Sequence, residues 1–514
     1  PLGNYSVISY DADLGLKTRD VFYKENGTTD VALSKTTYLY NAAMQQTVTR
    51  RWSDPTATTG NDSLDHVTTS TYSSTTGRLT SRTGPDGDVT TYEYDIHGRL
   101  KKTLLPDTSY TEHLFDADGH VTRTTRVEKV GTSTFTYRTD YGIDELGRVE
   151  TITDQGADGT FGNTDDKTVT SEYDPVGRLV KVTDRAGRET TTTYNTLSRK
   201  TRVVEDSGSG GIGRVTDFTY DRSGRLTKLT AYVDGTSGPQ DTIYSYNGRG
   251  LQTIVTYEET GDVLMTYDNA GNMTAREDEA GVIVNYTYSD KNQLVERRKN
   301  GTTSDVERYE YDALGRLAVA EKGTDADHDA VSRSEFTYDA LSRVTREEQS
   351  ILGGSSKTIA YTYDKAGRRT GMTLHDGTID VTFGYDDRDR CIDIDLEGTQ
   401  LAAYTWLGHQ LKTRDTTCDY PGSTKPVFRM NNLFDGLGRN YRIEVNHVTP
   451  DMDRSAEAKR LGTFLYSFDD AGNPGYAQNT AGMGKLESDQ WYSYDTLNRL
   501  VSADLLDTQD WNNP

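Results

Sequence analysis

Apolar and polar residues alternate in short bursts along most of this chain, and tight polar turns separate the bursts. In Thr-Tyr-Glu-Tyr, residues 91–94, Tyr92 and Tyr94 flank Glu93, the two-residue period of a strand with one aromatic and one polar face. Asp95, Ile96, His97 and Gly98 follow as a four-residue turn. Aspartate suits its first position, where the carboxylate accepts from backbone N–H groups two residues on, and glycine suits its fourth, where φ is often positive. Arg99 and Leu100 restart the alternation, which predicts Leu100 on the tyrosine face and Arg99 on the face of Glu93. The unit is strand, turn, strand: a hairpin with a glycine bulge.

Variants of this unit return throughout. Y-D-P-V-G-R-L begins at Tyr173, Y-D-R-S-G-R-L at Tyr220, Y-D-A-L-G-R-L at Tyr311, Y-D-A-L-S-R-V at Tyr338 and Y-D-T-L-N-R-L at Tyr494. A step of 21 residues separates Tyr94 from Phe115, Tyr173 from Tyr194 and Tyr267 from Tyr288, which reads as a period set by the fold. Where the glycine is replaced, Ser, Asn or Asp stands instead, and the last two are the side chains most tolerant of left-handed backbone. Three regions follow: degenerate repeats over 1–90, clear repeats over 91–500, and a tail over 501–514 that leaves the pattern and is expected to fray. The glycine-rich stretch 207–213 and the acidic stretch 154–166 read as loops, and 451–460 is the one place where a short helix is expected.

Only 33% of the 514 residues are hydrophobic, too few for a large dry core, so one continuous repeat assembly is favoured over several ordinary domains. The formal charge of −23 also fits disorder, but a disordered chain has no reason to keep Tyr, Asp, Gly and Arg in register. With basic residues spread through the turns, no nucleic-acid partner is expected. No apolar run reaches membrane-spanning length, so no membrane insertion is expected either. Pro1-Leu2-Gly3 looks like the scar of a cleaved tag on a fragment of something longer, and no signal peptide opens the sequence. Cys391 and Cys418 are the only cysteines, open to a single cross-strand bridge or to two thiols.

Catalytic motifs are missing: there is no H-E-x-x-H, no G-x-S-x-G and no phosphate-binding loop. His97 and His409 fall at turn positions, where a solvated side chain is the simple reading. Asp154, Asp158, Gly159 and Asp165 match positions 1, 5, 6 and 12 of a calcium-binding loop, an oxygen-rich set suited to a hard cation. Gly156 at position 3 and Asp rather than Glu at position 12 depart from that pattern, and a solvated acidic loop is the competing reading. T-D-A-D-H-D at 324–329 is a weaker match to the same pattern.

The Y-D-x-x-G-R-L units resemble the RHS or YD repeats of bacterial polymorphic toxins, Tc-toxin components, wall-associated proteins and teneurins, over about residues 90–500. The resemblance implies an all-β fold, a spiralling antiparallel sheet of hairpins that forms all or part of a hollow, barrel-like shell, enclosing a toxic segment in toxins and serving adhesion in teneurins. It also implies a secreted or cell-surface setting, with an encapsulated polypeptide or a cell-surface protein or glycan as partner. No P-x-x-x-x-D-P-x-G motif of toxin self-cleavage is present, so no autoproteolytic aspartate carries over. Physics points the same way, because a repeat with one aromatic face must stack on neighbours, and a ladder of cross-strand aromatic pairs at about 0.2–1 kcal/mol each offsets a thin core. Three readings stand in order: a non-catalytic shell scaffold, the capsule fragment of a polymorphic toxin, and a carbohydrate-binding or glycoside-active module.

Overall fold

The computed structural model describes residues 4–24, 30–206, 213–232, 238–301, 305–323, 330–351, 354–374, 377–417, 427–448, 459–481, 488–494 and 499–507. Forty strands, from β1 (Asn4–Tyr10) to β40 (Leu500–Asp507), belong to one sheet in which consecutive strands pair antiparallel, and no helix forms among the described residues. The all-β expectation holds.

A single hairpin shows how the sequence produces this. β13 (Lys167–Tyr173) pairs with β14 (Leu179–Thr183), and the register shifts at Tyr173, which faces Leu179 across the ladder. Between them, Gly177 N–H donates to the Asp174 carbonyl at 2.9 Å and Asp174 N–H to the Arg178 carbonyl at 2.9 Å. The Asp174 carboxylate accepts from the N–H groups of Val176 and Arg178, which ties off the two turn amides no strand can reach. Gly177 sits at φ +90°, and Ser198, Asn292, Ser342 and Asp389 take the same left-handed region in their own turns. Met44 does so too, outside the set that the sequence suggested.

Three expectations need correction. Arg99 does not alternate with Glu93; it lies in the turn, and its guanidinium bonds back to Asp95 at 2.6 Å. Spacing is not fixed at 21 residues, because strand length absorbs variation, from five residues in β14 to eleven in β11 (Ser133–Ile143). Residues 501–507 complete β40 against β39 (Ser488–Tyr494) instead of fraying. Of the stretch read as a helix, 451–458 lie outside the described residues and Lys459 opens strand β37 (Lys459–Phe468). The tip 207–212, the acidic run 324–329 and Cys418 also lie outside the described residues; the Cys391 thiol donates to the Asp393 carbonyl.

Contacts gather in two units rather than one. The first comprises Pro1–Tyr94, Thr103–Thr108 and Leu264–Gln400; the second comprises Asp95–Lys102, Ser109–Val263 and Leu401–Pro514. Each unit joins stretches far apart in sequence. In the first, the Asn4 amide donates to the Ala313 carbonyl at 2.6 Å across 309 residues, and Arg388 pairs with Asp107 at 3.0 Å across 281. In the second, Gln155 donates to the Gly436 carbonyl at 2.9 Å across 281 residues, and Lys167 pairs with Asp470 at 3.0 Å across 303. Within each unit, therefore, the sheet passes twice, and the D-x-x-G turns of the later pass rest on the opposite edge of the earlier one. The core is correspondingly thin: the buried apolar side chains are mostly single valines such as Val21, Val127, Val306 and Val381.

Candidate functional site

The recurring arginine is the part of the motif whose work the sequence did not reveal. Arg316 donates from Nε to Asp312 of its own turn at 2.6 Å and from Nη1 to the carbonyl of Asp339 in the next turn at 3.0 Å. Its guanidinium lies over the ring of Tyr338, 4.4 Å from the centroid, while the Tyr338 hydroxyl donates to the Leu317 carbonyl at 2.6 Å. Arg178 repeats the arrangement with Asp174, Asn195 and Tyr194, and Arg343 with Asp339, Asp364 and Tyr363. Each arginine thus clamps two successive hairpins, using a rigid planar fork and an aromatic face that lysine cannot match. Direct ring–ring contact, expected as the ladder, occurs in pairs such as the stacked Tyr5–Tyr23 and the tilted Tyr476–Trp491. Ile143 holds the tyrosine slot of a further turn, Asp144–Gly147, that a search for Tyr-Asp overlooks.

The acidic loop is tied down by its own chain. The Asp154 carboxylate accepts from the Thr139 hydroxyl at 2.6 Å and pairs with Arg185. Asp158 accepts from Thr160 N–H and the Asn163 amide, and its own N–H donates to Asp165 at 3.2 Å. Asp158 and Asp165 therefore share the loop, whereas Asp154 is engaged at the end of β12 (Val149–Asp154). Among the described residues, the three carboxylates that approach one another within 4.8 Å are Asp86, Asp88 and Asp389, in the first unit. Arg368 pairs with both Asp86 and Asp389, so a guanidinium already supplies the cation there. Burial and the neighbouring Asp387, Asp86 and Asp389 push the Asp88 carboxyl upward.

In the second unit the loop has a structural role as well. Gly436 N–H donates to the Ala157 carbonyl at 2.6 Å, and a Cβ on Gly436 would lie 2.3 Å from the Gly156 carbonyl oxygen and from Gly159 N. Only glycine allows so close an approach. Around this contact lies a cleft of about 780 Å³, lined by rings that include Phe135, Tyr137, Phe434, Tyr441 and Tyr466. A second cavity of about 410 Å³ shares Tyr137, Gln155, Gly436 and Arg439 with it and is lined by Arg126, Arg138 and Arg185. Arg138 and Arg123 both bond Asp140; burial alone would raise that carboxyl, but the two guanidiniums hold it down at about 2.

A serial hairpin sheet stitched by Asp, Gly, Arg and Tyr defines a repeat wall, and part of it matches a known repeat family. The RHS Repeat family profile matches residues 72–110 and 173–209. These two stretches are similar to RHS repeats, and the Tyr-Asp units elsewhere in the chain follow the same pattern. A curated relative, double-stranded DNA deaminase toxin A of Burkholderia cenocepacia (strain H111), is 26% identical over 511 aligned residues, which cover 82% of this chain and 33% of that protein. Among solved structures, a crystal structure of TcdB2-TccC3-Cdc42 covers 97% of this chain and 34% of its own at 13% identity and a TM-score of 0.30. The Photorhabdus luminescens Tc holotoxin pore covers 98% and 34% at 12% identity and a TM-score of 0.29. The chain spans about a third of the length of each.

Proposed function

We propose that this chain is a non-catalytic wall segment of an RHS shell that encloses a polypeptide in a secreted or cell-surface toxin. The observation that carries the reading is the use of the recurring residues: Asp and Gly close each turn, while Arg and Tyr join each turn to the next, as in Asp312, Gly315, Arg316 and Tyr338. Nothing in that repeated set is left over for chemistry, which needs one unrepeated cluster held in a pocket. The toxin setting comes from the named relative, whose deaminase activity is a property of that protein.

Protease protection tests the reading. A long unstructured tail fused to either terminus should be cleaved at least tenfold more slowly than the same tail on an unrelated folded carrier. Loosening the seam with Gly436→Ala should restore cleavage. Equal cleavage on both carriers overturns the enclosing role.

A further inference from the structure

The paired cavities of the second unit have a chemistry that the wall does not need. At one end are tyrosine and phenylalanine rings, and Tyr441 remains 37% exposed there even though it borders a cleft. At the other end stand Arg126, Arg138 and Arg185, with Arg439 between the two cavities; Asp154 and Asp470 line this end and Asp158 and Asp435 the first, so each arginine must be weighed by its own partner.

The four are not equally committed. Arg138 grips Asp140 through two nitrogens, Arg439 bonds its turn partner Asp435 at 2.8 Å, and Arg185 pairs with Asp154. Arg126 has a looser ion pair: its Nε stands 3.7 Å from Glu128, too far for a hydrogen bond, and its side chain is 51% exposed. Its guanidinium lies 4.6 Å from the centroid of Tyr137, the ring that borders both cavities. Stacking there fixes the plane of the fork and leaves its edge for a planar or tetrahedral oxyanion.

We infer that this groove binds a small molecule with a flat ring joined to a phosphate or carboxylate, the ring lying among Tyr441, Tyr466 and Phe434 and the anion meeting Arg126. The volume of about 780 Å³ falls in the range of ligand clefts, and aromatic walls with a few placed polar groups are their usual lining. Ring contact gives affinity without sequence or shape demands on the wall, and the guanidinium selects the charge.

Three probes separate the two halves: adenosine carries a ring alone, ribose 5-phosphate an anion alone, and AMP both. Calorimetric titration of the full chain should show AMP binding at least tenfold more tightly than either part. Arg126→Ala should lower AMP to the affinity of adenosine and leave adenosine unchanged. Tyr441→Ala should weaken adenosine and AMP together and spare ribose 5-phosphate. Arg126→Lys and Tyr441→Phe serve as folding controls, each with an unchanged melting temperature. Equal affinity for all three probes, no saturable binding of AMP, or AMP binding indifferent to Arg126→Ala overturns the inference. None of these outcomes bears on protease protection, so the groove and the enclosing wall are tested separately.

Discussion

Removing one arginine clamp should loosen two hairpins at once. Arg343 bonds Asp339 at 2.6 Å and the Asp364 carbonyl at 2.6 Å, and stacks on Tyr363 with its carbon 4.9 Å from the ring centroid. The pair is about four-fifths buried on each side, with relative exposures of 21% and 22%, so solvent screens it less than an open surface ion pair. A hydrogen bond to a charged group is worth about 1.5–3 kcal/mol net, and a partly exposed cation–π contact adds about 0.5–1 kcal/mol. Arg343→Ala should therefore cost about 2–4 kcal/mol, with Arg343→Lys recovering less than half because an ammonium lacks the fork. Native-state hydrogen exchange is the assay, since a repeat wall opens locally. Amides of β28 (Val344–Ile351) and β29 (Lys357–Tyr363) should exchange faster, while those of β13 and β14 should not change. A double-mutant cycle with Tyr363→Leu should give a coupling of about 0.5–1 kcal/mol. Coupling indistinguishable from zero, or faster exchange spread over the whole sheet, would refute the clamp.

Four further outcomes are expected. Gly315→Val places a β-branched residue at φ +79°, with its Cβ 3.2 Å from Gln293 Nε2, and should lower local stability by about 1–3 kcal/mol in the same exchange assay. Gly436→Ala meets backbone atoms at 2.3 Å, so it should expose the 155–159 loop to limited proteolysis while Gly472→Ala, with nothing within 4 Å, leaves that loop protected. Asp140, depressed to about 2 in the folded chain, contributes stability that is complete above the ordinary carboxylate range and is lost as pH falls from about 4 towards 2. Parent and Asp140→Asn should accordingly differ by about 2 kcal/mol at neutral pH and converge in acid melts. A panel of glycan, peptide and ester substrates should show no turnover, and activity abolished by one carboxylate-to-amide change would overturn the scaffold reading.

The turn was legible in the sequence because its determinants are local: Asp174 and Gly177 satisfy and shape the four residues between them, and those demands recur wherever the turn does. What Arg178 does was not legible, because its targets, the Asn195 carbonyl and the Tyr194 ring, belong to the next hairpin at a spacing that varies along the chain. The same limit hid the cleft beside Gly436, whose walls come from residues nearly three hundred positions apart. The extra glycine in D-G-L-G was visible, but nothing nearby in sequence named the Gly156 and Gly159 backbone that it must approach. Calcium-loop spacing put Asp154 together with Asp158 and Asp165, and sequence alone shows neither Arg185 nor Thr139 beside Asp154.

The double passage of the sheet within each unit implies an order of assembly. Hairpins join residues a few tens of positions apart or fewer, as Asp174 and Arg178 do, so each can form as soon as it leaves the ribosome. Seam bonds such as Gln155 to Gly436 must wait for 281 further residues, and closing so long a loop costs about 2–4 kcal/mol more chain entropy than closing a hairpin. The wall is thus set to wind from its beginning, with every later turn laid on an edge that already exists, and pulling it apart from the far end should release the seams before the hairpins.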